Sequence, residues 1–175
     1  MAKFEGTHSA AIVSLAFSPD GHLLLLCSRD TTATVIDTST HQTVARLVGL
    51  HVWSVCACAW APDGSQLVLG SQDTKVTVVD VATWEPIRQL ESLHASTISG
   101  LSYSSDGALL AVSSYDNSAS VVDTESWEVV AKFESLHGNR GPPRSPLILC
   151  ARFILSKQPC VRFERVVSKW TSSFR

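Results

Sequence analysis

Residues 49–80 of the chain have the sequence GLHVWSVCACAWAPDGSQLVLGSQDTKVTVVD. In this stretch a histidine is followed by short apolar runs, which are separated first by Pro62-Asp63-Gly64 and then by Ser71-Gln72-Asp73. Runs of five or six residues with alternating or β-branched apolar side chains indicate short β-strands, and Pro, Asp and Gly between them indicate tight turns. The stretch therefore predicts three antiparallel strands and no helix.

The same arrangement recurs at a step of 43 residues on both sides of this stretch. Four kinds of residue recur at intervals of 43: a histidine, an Asp-Gly pair and two further aspartates. They are His8, His51, His94 and His137; Asp20-Gly21, Asp63-Gly64 and Asp106-Gly107; Asp30, Asp73 and Asp116; and Asp37, Asp80 and Asp123. One period in four independent markers is the signature of a repeat architecture. With a fourth strand at 44–48, 87–91 and 129–134, each unit is predicted to form four short antiparallel strands. The units occupy residues 8–50, 51–93 and 94–136.

The motif Gly49-x-His51, Pro62-Asp63-Gly64, Gly70-Ser71-x-Asp73 and closing Asp80 resembles the repeat of the WD-repeat β-propeller family. The resemblance implies an all-β propeller fragment of three four-stranded blades in a region that spans residues 1–137. One blade cannot bury both of its faces, so blades are stable only when they stack. Residues 1–7 are expected to supply the outer strand of a missing blade, and residues 138–175 to form an irregular basic tail.

In that family, a tryptophan before the closing Asp donates a hydrogen bond to a network of Asp, Ser and His. Ile36, Val79 and Val122 stand in its place here, so the resemblance implies a weaker network. Its remaining members are His8, Ser28 and Asp30; His51, Ser71 and Asp73; and His94, Ser114 and Asp116. Ser, His and Asp are also the ingredients of a hydrolase triad. We favour the structural role, because a catalytic site occurs once and this set occurs three times.

Other catalytic and metal-binding patterns are missing from the sequence. It contains no Gly-x-Ser-x-Gly turn, no glycine-rich phosphate loop and no His and Asp cluster with metal-ligand spacing. We therefore expect no enzymatic activity, no cofactor, no metal and no small-molecule substrate.

The charge of the chain divides near His137. Residues 1–137 contain six Lys and Arg against 15 Asp and Glu, whereas residues 138–175 contain eight against one. The repeat markers also fail after His137, and the tail contains four prolines, which favours an alternative or out-of-frame terminus over a diverged blade. Between Cys160 and Phe174, apolar residues at helical spacing alternate with basic ones, which suggests an alternative function in binding an anionic membrane surface or nucleic acid. A tail with no role of its own is the simpler interpretation.

The five cysteines, at positions 27, 56, 58, 150 and 160, are odd in number and lack zinc-site spacing. No secretory signal or apolar run of transmembrane length is present. These features predict reduced thiols in an intracellular, most simply cytoplasmic, protein, with the nucleus as an open alternative.

The resemblance implies a non-catalytic platform, a scaffold or adaptor for protein partners. Candidate partner-binding residues are those that vary between repeats in the loops beside the repeated His and Asp, namely Arg29, Val52, Trp53, Gln72 and Tyr115. Trp84 and Trp127, in the turns at the opposite end, are expected to cover the blade edge. Three blades leave two open ends, so we also expect self-association or a partner that supplies further blades.

Overall fold

A computed structural model of the chain describes residues 7–134, which form twelve β-strands in three four-stranded antiparallel sheets. The first sheet contains β1 (Ile12–Phe17), β2 (Leu23–Ser28), β3 (Ala33–Asp37) and β4 (Thr43–Leu47). The second contains β5 (Val55–Trp60), β6 (Gln66–Ser71), β7 (Val76–Asp80) and β8 (Pro86–Leu90). The third contains β9 (Ile98–Tyr103), β10 (Leu109–Ser114), β11 (Ala119–Asp123) and β12 (Val129–Phe133).

These sheets confirm the predicted fold class, with strand ends that lie within about one residue of those expected. The predicted basic tail and residues 1–6 of the predicted outer strand lie outside the described residues. Across residues 7–134, no helix has the length and hydropathy needed to span a bilayer.

The turn between the first two strands of each sheet forms as the sequence predicts. In the second sheet, the backbone N–H of Gly64 donates to the carbonyl of Ala61 at 2.9 Å, with φ of +74° at Gly64. Gly107 makes the same bond to Ser104 at 3.0 Å, with φ of +76°. Glycine adopts this left-handed conformation without the steric penalty that a side chain would incur.

The core lies between the sheets. One apolar cluster joins the first two sheets, with Leu25 and Val35 from the first packed against Trp60 and Leu67 from the second. The Trp60 indole N–H also donates to the Ala16 carbonyl of β1 at 3.1 Å. A second cluster joins the second and third sheets in the same way. Neighbouring blades are therefore held mainly by burial of apolar side chains.

The outward side of β1 has no such cover. Ile12, Leu15 and Phe17 are 43%, 60% and 59% exposed, whereas their counterparts Val55 and Trp60 in β5 are 1% and 8% exposed. We call Ile12, Leu15 and Phe17 the first-blade face. The sequence predicts an open end at residues 1–6, and in the structure the exposed apolar side chains at this end of the blades lie on β1.

Candidate functional site

The repeated histidine and aspartate meet at one end of the blades. The distance between His Nδ1 and Asp Oδ2 is 3.0 Å for His8 and Asp30, 3.0 Å for His51 and Asp73, and 3.1 Å for His94 and Asp116. Each carboxylate also accepts a hydrogen bond from the backbone N–H that follows the histidine, at 2.9, 3.2 and 2.9 Å. The pair therefore fixes the loop before each first strand to the turn between the second and third strands.

The repeated serine supports the same two segments. Ser71 Oγ accepts a hydrogen bond from the backbone N–H of Asp73 at 3.1 Å and donates one to the carbonyl of Trp53 at 3.2 Å. Ser28 and Ser114 bond equivalently to the backbone of their own repeats. These serines are 0–1% exposed, and their hydroxyls satisfy buried backbone groups of the loop.

No hydrogen bond joins the serine to the histidine in any of the described repeats. The Nε2 atoms of His8, His51 and His94 are buried and have no hydrogen-bond partner. A hydrolase triad requires the nucleophile and the base to share a hydrogen bond. In this structure the Ser, His and Asp of each repeat lie close together, but their hydrogen bonds join the loop before the first strand to the turn after the second. We call this arrangement the clamp.

Two network members escaped the sequence analysis. His8 Nδ1 lies 3.1 Å from Thr32 Oγ1, and His94 Nδ1 lies 2.8 Å from Ser118 Oγ. The equivalent residue of the middle repeat is Lys75, which has no hydroxyl and instead pairs with Glu91 at 2.6 Å. A hydroxyl residue two positions after the repeated Asp could have indicated this contact, but the pattern is interrupted by the lysine in the middle repeat.

The protonation of the pair follows from burial and hydrogen bonding. Burial lowers the pKa of His51 and of His94 against the opposing pull of the neighbouring carboxylates. Burial disfavours the charged form of Asp116, but hydrogen bonds from the Ser118 side chain and the Ala95 backbone outweigh it and lower the pKa to about 2. Burial also disfavours the charged form of Asp73, but electrostatic attraction to His51 and hydrogen bonds from the Lys75 backbone and the His51 ring outweigh it and lower the pKa. Near neutral pH the imidazoles of His51 and His94 are therefore neutral, and each donates to its carboxylate.

Three of the candidate partner-binding residues occupy one equivalent position. The backbone N–H groups of Arg29, Gln72 and Tyr115 donate to the carbonyls of residues 11, 54 and 97 at 3.0, 2.9 and 3.0 Å. The side chains of all three are exposed and line one groove of about 620 Å³ between the inner strands β1, β5 and β9. The same backbone hydrogen bond therefore places the Arg29 guanidinium, the Gln72 amide and the Tyr115 phenol around one groove.

The other two candidates stand beside this groove. Val52 and Trp53 lie on the loop before β5, with exposed fractions of 79% and 58%, and neither belongs to the described lining of the groove. The turns at 28–32, 71–75 and 114–118, with the loops at 7–11, 48–54 and 91–97, form what we call the loop face. All five candidates lie on it.

Trp84 and Trp127 lie at the opposite end of the blades. Both adopt a φ of +60°, and each ring packs partly buried against the cluster between its blade and the preceding one. The Arg88 guanidinium lies 6.0 Å from the centre of the Trp127 ring, at the limit of a cation–π contact. These contacts favour a packing role for the two rings.

The thiols in the described part of the chain are all free. Cys27 and Cys58 are buried between the first two blades, where Cys58 Sγ lies 3.5 Å from Ser14 Oγ, and Cys56 is half-buried beside the groove. No group of three potential metal ligands is found among residues 7–134. The predicted basic amphipathic helix lies outside those residues.

Comparison with known proteins agrees with this architecture. The family model for the WD domain, G-beta repeat, matches residues 1–37, 44–80 and 84–123. Among solved structures, a crystal structure of the RRP9 WD40 repeats has a TM-score of 0.69 at 18% identity and covers 73% of this chain. A structure of U3-55K also has a TM-score of 0.69, at 17% identity and 73% coverage.

The chain spans only 39% and 40% of those two structures, and at these identities the likeness concerns the fold alone. No curated protein sequence matches the chain. The family model, in contrast, matches three successive segments that together cover more than half of the chain. The chain belongs to the WD40 repeat family.

Proposed function

We propose that the chain is a non-catalytic protein-interaction module whose partner binds the loop face over the groove. The observation that carries this proposal is the equivalence of Arg29, Gln72 and Tyr115. Their backbone N–H groups make the same bond in each repeat, but their side chains differ in charge and size. Variation at a fixed and exposed position is what recognition of one specific partner requires.

Two exposed aromatic residues strengthen the proposal. Trp53 and Tyr115 are 58% and 65% exposed, and aromatic side chains of this kind dominate the binding free energy of protein interfaces. WD40 domains in general mediate protein interactions, which supports the same assignment. An intracellular location fits the free thiols and is part of this proposal.

The proposal is tested by proximity labelling in cells with the full chain and two variants. We expect Trp53→Ala combined with Tyr115→Ala to lose a defined subset of labelled proteins. Ile87→Ala is the matched control, since Ile87 is 52% exposed on the outer strand β8, away from the loop face. The control should retain the full set.

Direct binding then separates recognition from folding. A protein in the lost subset, purified and titrated against the wild-type chain and both variants, should bind the double variant at least tenfold more weakly. Melting temperatures of all three chains should agree, because the replaced side chains are exposed. An unchanged labelling pattern for the double variant would refute the assignment of the loop face.

A further inference from the structure

Two thiols from different blades meet in the interface between the first and second sheets. Cys27 lies on β2 and Cys58 on β5, and both belong to the apolar cluster that joins these sheets. The side chains of the two cysteines interact directly with each other. Cys58 Sγ also lies 3.5 Å from Oγ of Ser14, which is directly opposite Cys27 in the pairing of β1 with β2. The fold therefore brings the two thiols together without any rearrangement.

The next blade interface shows how closely the two backbones approach at these positions. Gly70 and Leu101 stand there in the places of Cys27 and Cys58. A Cβ at position 70 would lie 3.1 Å from Cδ1 of Leu101. Contact at this distance leaves the two backbones near the separation that a disulfide bridges, in which the Cβ atoms are about 3.5–4.5 Å apart.

The two thiols differ in their access to solvent and in their acidity. Cys58 is 9% exposed and lines the groove, whereas Cys27 is 0% exposed. Hydrogen bonds from the Cys27 thiol and the Ser14 hydroxyl outweigh burial and lower the pKa of Cys58, whereas burial raises the pKa of Cys27. Because the thiolate is the form that reacts with oxidants, Cys58 is suited to react first and Cys27 to react second.

We propose that Cys58 and Cys27 form a disulfide across the first blade interface when hydrogen peroxide enters the groove. The Cys58 sulfur first attacks one peroxide oxygen. The O–O bond breaks, and the other oxygen leaves as hydroxide and takes up the thiol proton to become water. The Cys27 sulfur then attacks the Cys58 sulfenic acid, so that the S–S bond forms, the S–O bond breaks and the oxygen leaves as water with the Cys27 proton. Two thiols are oxidised to one disulfide, and one peroxide is reduced to two waters.

Peptide mapping of the full chain tests the proposal. The folded chain is treated with one equivalent of hydrogen peroxide and quenched with acid, and its remaining thiols are alkylated in denaturant before digestion. Trypsin separates Cys27, in the peptide of residues 4–29, from Cys58, in the peptide of residues 47–75. We expect these two peptides to be joined in the unreduced digest and to separate on treatment with dithiothreitol. A linkage that forms only in denaturant, or one that mainly joins other thiols, would overturn the proposal.

Cys56 supplies the matched control, because it lies in the same tryptic peptide two residues before Cys58. Its Sγ donates to the Ser54 carbonyl at 3.4 Å, and burial raises its pKa. Cys56→Ser should therefore form the linkage to the same extent as the wild type, whereas Cys58→Ser should lose it. The reverse pattern would make Cys56 the reactive thiol and refute the assignment. Circular dichroism before oxidation establishes that both variants are folded.

Thermal melting shows whether the linkage fits the folded interface. The oxidised wild type should melt about 5–10 °C above the reduced chain, because a link between residues 27 and 58 restricts the unfolded chain. Cys58→Ser, treated in the same way, should show no such rise. A melting temperature that falls when the linkage forms would show that the blades must separate to allow it, which would contradict the placement of the thiols.

Discussion

Replacing Gly70 with alanine should destabilise the chain, although alanine is ordinarily the better residue within a strand by about 0.5–1 kcal/mol. A Cβ at position 70 would lie 2.5 Å from Cγ2 of Ile98 and 3.1 Å from Cδ1 of Leu101. Carbon atoms in contact keep about 3.5–4.0 Å. Ile98 would therefore have to move by about 1 Å, yet its side chain is 0% exposed between the second and third blades.

The expected cost is that of overpacking a core, about 1–3 kcal/mol in the free energy of unfolding. For a chain of this size, each kcal/mol corresponds to a fall of about 2–4 °C in melting temperature. Urea unfolding followed by tryptophan fluorescence, together with a thermal melt, measures both quantities. An alanine variant as stable as the wild type would refute the steric argument.

The first blade interface supplies a stricter test. Cys27 occupies the position equivalent to Gly70, and it faces Val55 and Cys58 where Gly70 faces Ile98 and Leu101. A larger side chain on one blade is thus matched by smaller ones on the other. We expect the triple variant Gly70→Cys, Ile98→Val, Leu101→Cys to be more stable than Gly70→Cys alone, despite two further large-to-small changes. A triple variant less stable than the single one would show that the two interfaces are not interchangeable.

Three further predictions concern residues that recur in each repeat. Thr74 has a φ of +72°, which is strained for a β-branched residue, so Thr74→Asn should raise the free energy of unfolding by about 0.5–1 kcal/mol, and Asn117→Thr should lower it comparably. Denaturant titration measures both. Ser71→Ala leaves two backbone groups unpaired and should cost about 1–2 kcal/mol, and an undiminished stability would contradict the clamp. Burial lowers the pKa of His51 and of His94 below 6.5, so the unfolded chain binds protons first as the pH falls through that value. The melting temperature should therefore drop between about pH 7 and pH 5, and a constant value there would contradict this linkage.

The sequence was sufficient to predict the repeat, the blade count and almost every strand. The reason is that Asp, Gly and His at fixed turn positions determine local conformation, and that local conformation needs no knowledge of distant contacts. The turns at Gly64 and Gly107 are the clearest examples, because their hydrogen bonds and positive φ values follow from the residue type.

Side-chain partners across the loops were less predictable. The sequence assigns Ser71 and His51 to one network but does not specify their bonds, and in the structure the serine hydroxyl bonds the backbone of residues 53 and 73. The match between Gly70 and Ile98 depends on the distance between two sheets, which no local pattern encodes. Both results depend on tertiary contacts, and sequence periodicity does not describe those contacts.

The same hydrogen bonds show that the fold does not depend on the side chain at position 72. Asp73 and Ser71 are satisfied by His51 and by backbone groups, so the clamp uses no side chain at position 72. Gln72 contributes its backbone N–H to the fold, and that donor is present in every residue except proline. Substitution of this exposed side chain should therefore change the free energy of unfolding by less than about 0.5 kcal/mol. Under the proposed function, variants at positions 29, 72 and 115 should therefore change partner binding and leave the free energy of unfolding nearly constant.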